Sequence, residues 1–302
     1  MAIASVKATI NGTQYTLTLN ASTGKYEATI SAPSTSSYTK TDHYYPVSVV
    51  AADTAGNSTT VASDDVTLGT SLRLAVKEKI APVITISAPT AGARVINNKP
   101  TIAFTVTDND SGVNPSTIKI TVNGTVITSG ITTTANGSKG YDCSYVIATA
   151  LADGSNIVKV DASDYDGNAA TQKTVTFTVD TVAPTLSITA PTDASITNVA
   201  ACTVTGITND ITSSPCTVTV KLNGGTAAAV TVDGSGNFSK ALTLVAGTNT
   251  IVVVATDGAS KTTTVTRTVT LDQICPVISA ITLTPNPVDC GATFIITVTV
   301  DD

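Results

Sequence analysis

Residues 81–112, APVITISAPTAGARVINNKPTIAFTVTDNDSG, decide the fold of this chain. Apolar residues alternate with Thr and Ser in Val83–Ala88 and again in Thr101–Thr107. Strict alternation over a short run is the pattern of a strand that buries one face, where β-branched side chains pack well. The segment therefore predicts a Pro-led strand, a turn and a second strand.

The same arrangement recurs twice further along the chain. APTLSITAPTDASITNVAACTVTGITND begins at Ala183, and CPVISAITLTPNPVDCGATFIITVTVDD begins at Cys275. The leading prolines, Pro82, Pro184 and Pro276, are 102 and 92 residues apart. A period of that length is about the size of one β-sandwich domain, roughly 100 residues.

Within each period the remaining strand signals follow the same order. Ile118–Val122 ends in Asn123-Gly124, a strong hairpin signal, and further short alternating runs continue as far as Thr174–Val179. No helical period occurs in any of them. We predict an all-β chain of tandem immunoglobulin-like β-sandwiches in an elongated array, with no helical domain.

The first 80 residues match this template only from its middle. Ser5–Ile10 ends in Asn11-Gly12, as the third strand of the other modules does, and strands over Tyr26–Ile30 and Pro46–Ala51 are predicted to follow. The segment from Cys275 matches only the beginning of the template. We therefore predict a partial domain over 1–80 that lacks its first two strands, complete domains over 81–182 and 183–274, and the first two strands of a domain over 275–302.

The two partial segments would read as one module if they were joined. Completion within one molecule, completion between molecules, and a chain that is one piece of a longer repeat array are the three alternatives. Completion between molecules would be donor-strand complementation, which adds strands by main-chain pairing and propagates head to tail into a filament. The predicted donor residues are Val277, Ile278, Ile281, Leu283, Phe294, Ile296, Val298 and Val300, and the predicted acceptor residues are Val6, Ala8, Ile10, Tyr26, Val47 and Val49.

Acidic residues recur in the loops that follow the second and sixth strands. In an Ig-like sandwich these loops share one tip with the incoming linker. For the second module this tip gathers Glu78, Asp108, Asp110, Asp164 and Asp166; for the third, Asp180, Asn209, Asp210 and Asp257; and for a joined module, Asp53, Asp272, Asp301 and Asp302.

Several carboxylates suit Ca²⁺, a hard ion that binds oxygen ligands in flexible geometry. Asp and Asn also form turns through bonds to their own backbone, and the spacing fits no EF-hand. Both interpretations stay open. The candidate calcium ligands are Asp108, Asp110, Asp164, Asp166, Asp180, Asp210 and Asp257.

Composition and residue types argue against several functions. The net charge of −6 argues against nucleic acid as a partner, and no apolar run has the length of a membrane span. The start of the chain does not read as a secretory signal. The single histidine, His43, and the absence of a C-x-x-C pair argue against an enzyme. Cys202 and Cys216 either bridge neighbouring strands or fill core positions.

The stretches TDNDSGVNPSTIKITVNG (107–124), ASDYDGNAATQKTVTFTVDTVAP (162–184) and LVAGTNTIVVVATD (244–257) resemble the bacterial Ig-like repeats of surface adhesins and of phage head or tail proteins. The resemblance implies an extracellular protein, as a surface fibre or on a virion. It leaves two functions open. One is a structural rod that assembles with itself or belongs to a longer array. The other is a virion decoration or adhesin that contacts a host surface or its glycans.

Overall fold

Every regular element of the computed structural model, which describes residues 2–137 and 139–302, is a β-strand except two short 3-10 turns, Thr41–His43 and Gly69–Leu72. The chain divides into two compact units, residues 1–179 and 180–302. Among the described residues, no helix has the length and apolar character that a membrane span requires.

Residues 3–74 form one sheet, with strands in the order β3-β2-β1-β4-β5 and with β6 paired to β4. A turn at Asn11-Gly12, both with positive φ, joins the first two strands, as the hairpin signal predicted. The strands are β1 (Ile3–Ile10), β2 (Thr13–Asn20), β3 (Lys25–Glu27), β4 (Tyr45–Asp53), β5 (Ser58–Ala62) and β6 (Arg73–Leu74).

Residues 83–179 form a sandwich of two sheets, which enclose a core that includes Phe104, Ile120 and Phe177. The strands are β7 (Val83–Ala88), β8 (Arg94–Val95), β9 (Thr101–Thr107), β10 (Val113–Val122), β11 (Thr125–Ile127), β12 (Thr132–Ala135), β13 (Tyr141–Val146), β14 (Gly154–Asp164) and β15 (Lys173–Val179). One sheet has the order β11-β10-β14-β15-β8 and the other β12-β13-β9-β7.

Residues 185–271 form a second sandwich, with sheets β17-β23-β22-β19-β20 and β16-β18-β21. Its core includes Val204, Phe238 and Ile251. Gly206 lets Phe238 lie against its strand, since a Cβ there would lie 2.6 Å from the Phe238 ring. The strands are β16 (Thr185–Ala190), β17 (Ser195–Thr197), β18 (Ala201–Asn209), β19 (Thr217–Leu222), β20 (Ala228–Val230), β21 (Asn237–Thr243), β22 (Gly247–Thr256) and β23 (Thr262–Leu271).

The last two strands, β24 (Val277–Thr284) and β25 (Ile295–Asp301), pair only with each other and form an antiparallel two-stranded sheet.

The predicted all-β fold of tandem Ig-like domains is confirmed, although some strand predictions were wrong. The predicted strand Tyr26–Ile30 ends at Glu27. In the sandwich of residues 83–179 the strand that corresponds to the predicted Tyr26–Ile30 is β13, which pairs with β9. The sheet of residues 3–74 has no strand that corresponds to β9. The short strands β8 and β17 were missed, because each takes its form from parallel pairing with the last strand of its sandwich.

All five cysteines are free, so Cys202 and Cys216 do not bridge neighbouring strands.

Candidate metal centres

The loop that begins at the end of β14 in the first sandwich and the loop after β22 in the second each have an aspartate at their start. In the first sandwich the backbone N–H of Asn168 donates to Asp164 Oδ1 at 2.7 Å. In the second, the backbone N–H groups of Ala259 and Lys261 donate to Asp257 Oδ1 at 2.8 and 2.9 Å. These bonds close the loop and fix the aspartate, whose carboxylate is buried in both sandwiches.

The loops after β9 and after β18 hold another aspartate in the same way. Asp108 Oδ1 accepts hydrogen bonds from the backbone N–H groups of Asp110 at 2.9 Å and Gly112 at 2.7 Å. Asp210 Oδ1 accepts from the N–H groups of Thr212 and Ser213. One carboxylate oxygen therefore organises each turn.

The third acidic residue comes from the linker that leads into each sandwich. Glu78 Oε1 accepts a hydrogen bond from the backbone N–H of Ser111 at 2.6 Å. Asp180 Oδ1 accepts from the N–H of Val182 at 3.1 Å, and the Asp180 side chain is 0% exposed. The bond to Ser111 brings the first linker against the tip of its sandwich, and in the second linker Lys261 Nζ does so by donating to the Thr181 carbonyl oxygen.

These residues form two triads, which we call the first centre (Glu78, Asp108, Asp164) and the second centre (Asp180, Asp210, Asp257). In each, one carboxylate oxygen per residue lies within 4.8 Å of the other two. Two ionised carboxylates at that separation repel each other by about 3 kcal/mol at an effective dielectric constant of about 20. Such a cluster is costly unless a cation joins it.

Buried oxygens without partners point to the same conclusion. Among the described residues, Asp108 Oδ2, Asp180 Oδ2 and Asp257 Oδ2 are buried and accept no hydrogen bond. A buried carboxylate oxygen ordinarily has a partner, because burial without one costs free energy. Three converging carboxylates with free oxygens fit a hard divalent cation such as Ca²⁺, which takes oxygen ligands.

Five of the seven predicted calcium ligands lie in the two centres. The other two, Asp110 and Asp166, bind backbone instead. Asp110 Oδ2 accepts from the N–H of Ser36 at 2.8 Å, and Asp166 Oδ2 accepts from the N–H of Glu78 at 3.0 Å. Both tie the segment before the sandwich to its tip and support the first centre indirectly.

Asp53, at the end of β4, closes a loop like that of Asp164. The N–H of Asn57 donates to Asp53 Oδ1 and the Asn57 amide to Oδ2, both at 2.9 Å. The side-chain bond from Asn57 lowers the pKa of Asp53. Asp53 belongs to neither centre, and the same holds for Asp272, Asp301 and Asp302.

The predicted acceptor residues lie in the sheet of residues 3–74. Val6 and Ala8 are buried, whereas Ile10, Tyr26, Val47 and Val49 are only half-buried. Ala8 has the same position relative to its Asn-Gly turn as Ile120 has in the next sandwich. Ala8 pairs with Val49, and Ile120 pairs with Val160. Ile120 and Val160 are completely buried because a second sheet covers them.

The predicted donor residues lie on the hairpin of β24 and β25, whose residues are all exposed. Six of the eight share one face and face each other in the pairs Ile278–Val300, Ile281–Val298 and Leu283–Ile296. Val277 pairs with Asp301 and belongs to the other face, and Phe294 precedes β25.

Counted from the leading proline, Ile278 and Val300 correspond to Ile84 and Val106 in the pair β7–β9. Those two residues are buried in the core of their sandwich.

An aromatic stack beside the first centre was not foreseen from the sequence. The Tyr38 ring lies between the rings of His43 and Tyr165, with both centroids 4.2 Å away. Ser36 and Ser37, in a Ser/Thr-rich run typical of an exposed loop, are buried beside it. No sequence pattern announces this contact, because it joins residues more than 120 positions apart.

Two families match parts of the chain. Residues 88–181 match the family described as bacterial Ig-like domain, and residues 184–273 match the family described as glucodextranase, domain B. The predicted resemblance to bacterial Ig-like repeats is thereby confirmed. No curated protein matches the sequence.

Solved structures of several tandem-domain proteins are similar to this chain. The fibronectin(III)-like modules of Clostridium thermocellum CbhA are 21% identical, over 62% of this chain and 93% of theirs, with a TM-score of 0.38. A tetra-tandem repeat from the extending region of a large adhesion protein is 19% identical, over 98% and 79%, with a TM-score of 0.34. A segment of titin is 13% identical, over 87% and 85%, with a TM-score of 0.41.

Proposed function

We propose that this chain is a non-catalytic structural protein whose tandem Ig-like modules act as spacers, and that Ca²⁺ fixes each complete module on the linker that leads into it. The observation that supports this is the repeated triad. In both centres one carboxylate comes from the linker and two come from loops at the tip of the module. A cation shared by all three would neutralise their charge and hold the linker in place.

The reactive side chains support a non-catalytic role. His43 stacks on Tyr38, and its Nδ1 contacts the Tyr38 carbonyl oxygen, so the ring serves packing. Burial, with a smaller contribution from Asp142, raises the pKa of the Cys143 thiol to about 11. A thiol activated for nucleophilic attack has its pKa lowered instead.

An extracellular location follows from the proposal. Free Ca²⁺ outside cells reaches concentrations that suit weak extracellular sites, with dissociation constants of about 0.1–1 mM. The chain's resemblance to bacterial Ig-like repeats fits a surface or secreted protein.

A melting experiment tests the calcium part of the proposal. Ligand binding to the folded state stabilises it in proportion to RT ln(1 + [L]/Kd), about 2.7 kcal/mol at 100 times Kd. We expect the unfolding temperature of the chain to be higher in excess Ca²⁺ than in chelator, at equal ionic strength. Identical melting curves in calcium and in chelator would overturn it.

We also propose that the chain assembles head to tail, with the β24–β25 hairpin of one copy covering the sheet of residues 3–74 in another. The sheet order β2-β1-β4-β5 is that of β11-β10-β14-β15 in the next sandwich. There, the pair β7–β9 belongs to the sheet that covers it. The hairpin has the strand order of that pair and shares its register as far as Ile278–Val300; beyond that point its bulge, between Ile278 and Ala280, comes earlier than the bulge between Ile86 and Ala88. It exposes the apolar face that β7–β9 bury.

Sedimentation velocity over a range of concentrations tests this assembly. Wild-type chain is expected to form larger species as concentration rises, and Ile281→Asp with Val298→Asp is expected to stay monomeric, because charges would then face the apolar sheet. Val126→Asp, at an exposed position of β11, is the matched control and should assemble like wild type. A wild-type chain that is monomeric at all concentrations contradicts the assembly and leaves the calcium part intact.

A further inference from the structure

One difference between the two centres lies four positions after the loop aspartate at the end of β14 or directly after β22. In the first centre the residue at that position is Asn168, and its side-chain amide donates to Asp164 Oδ2 at 2.7 Å. In the second centre it is Lys261, whose Nζ donates instead to the Thr181 carbonyl oxygen at 2.6 Å. Asn168 therefore occupies an oxygen whose counterpart, Asp257 Oδ2, has no hydrogen-bond partner among the described residues.

The two centres also differ in the number of free buried oxygens. Within the described part of the chain, the first centre has one carboxylate oxygen that is buried and unpartnered, Asp108 Oδ2. The second centre has two, Asp180 Oδ2 and Asp257 Oδ2, and Asp180 is the more buried of the linker residues.

Basic side chains also reduce the negative charge of the first centre more than that of the second. Two lysines lie beside the first centre: Lys139 Nζ donates to the Asn109 carbonyl oxygen at 2.9 Å, and Lys77 Nζ to that of Asp166 at 3.4 Å. Lys261 lies beside the second. The first centre thus has less unsatisfied negative charge to offer a cation.

We propose that the second centre binds Ca²⁺ more tightly than the first, so that the two fill in sequence as the cation concentration rises. This inference rests on the proposed calcium function and adds an order to it. The free oxygens of the second centre need no rearrangement to bind, whereas the first must release the Asn168 amide from Asp164 Oδ2 or bind with fewer ligands.

The distribution of tyrosine provides a readout for one centre. All eight tyrosines precede residue 166, and Tyr165 directly follows Asp164. Tb³⁺, which has the same preference for oxygen ligands, emits when a nearby tyrosine is excited. Because Tyr165 directly follows Asp164, tyrosine-sensitised Tb³⁺ emission reports the first centre, while calorimetry with Ca²⁺ reports both.

The experiment titrates the chain of 302 residues at a concentration where it is monomeric. We expect two calorimetric phases separated by about tenfold or more in Kd. In a matched Tb³⁺ titration, sensitised emission is expected to rise only after the first equivalent. Asp257→Asn should remove the tight calorimetric phase and keep the emission, and Asp108→Asn should remove the emission and keep the tight phase. Asparagine keeps the side-chain oxygen that organises each loop.

Asn168→Ala is a further variant that leaves all six carboxylates in place. It frees Asp164 Oδ2, so we expect the weak phase to move toward the tight one while the tight phase is unchanged. Emission that rises with the first equivalent, or two centres of equal affinity in wild type, would overturn the order while leaving the calcium function standing. No binding of either ion would overturn both.

Discussion

At the scale of single residues, Asp180 shows how much of the proposed function depends on burial. Its carboxylate is 0% exposed, one oxygen has no partner among the described residues, and two other carboxylates converge on it. Removing one of several close buried charges relieves repulsion, whereas removing it in the presence of a bound cation removes a ligand.

Asp180→Asn should therefore have opposite effects on the unfolding temperature in chelator and in calcium. In chelator we expect the unfolding temperature of the second unit to rise, by about 4–8 °C for each kcal/mol of relieved repulsion. In calcium we expect it to fall below wild type. Calorimetric melting in both buffers checks this, with Asp233→Asn, at an exposed loop aspartate, as control. An equal shift in both buffers would contradict the assignment.

Cys143 gives a pH-dependent prediction at the same scale. Burial raises the pKa of its thiol to about 11, and the thiolate is the form that reacts with alkylating reagents. At pH 8 we expect iodoacetamide to modify the exposed Cys275 and Cys290 and to spare Cys143. Mass spectrometry of peptides identifies the modified residues, and rapid modification of Cys143 in the folded chain would contradict its burial.

The raised pKa of the Cys143 thiol also makes the stability of the fold depend on pH. In the unfolded chain the thiol ionises near its usual pKa of about 8.5, whereas in the folded chain it stays protonated up to about 11. The unfolded state then binds fewer protons, so the contribution of Cys143 to stability falls as the pH rises from about 9 toward 11.

At the scale of elements, the linkers and the strands are expected to respond differently to the cation. In the proposed arrangement a bound cation adds to the hydrogen bonds that hold residues 78–82 and 180–184, such as those at Glu78 and Thr181, whereas β9 and β14 are held by sheet pairing and the core. Adding chelator should speed hydrogen exchange in the linkers and the loops 108–112 and 257–261, and leave β9 and β14 unchanged. Uniform exchange in both buffers would show that no cation holds the linkers.

Much of the element scale could be predicted from the sequence, for a physical reason. Alternation of apolar and polar residues and the Asn-Gly turns act locally, so the Pro-led strands and the hairpins after Val122 and Leu222 were found. The strands β8 and β17 were not, because their form depends on pairing with a strand about 75–85 residues later.

The candidate centres could be predicted only in part. The fold template brings the loop and linker residues Asp164 and Asp180 to a module tip, and repetition made that visible in the sequence. Every aspartate of the centres accepts from backbone N–H groups, and whether it also presents an oxygen to the centre depends on local geometry. Asp110 and Asp166 could not be told from their neighbours, because they bind N–H groups of the preceding segment, at Ser36 and Glu78.

At the scale of the whole molecule, each of the two compact units contains one centre. The sparse charge of the chain, 13% of residues, makes these two clusters its main concentrations of buried negative charge. If the modules are spacers fixed by a cation, the number of bound ions is set by the number of complete modules.

Equilibrium dialysis of the monomeric chain against Ca²⁺ tests this claim most directly. Two ions per chain are expected at saturation, one in each of the single variants Asp108→Asn and Asp180→Asn, and none in the double variant. A wild-type chain that retains no calcium, or a double variant that still retains two ions, would contradict the account.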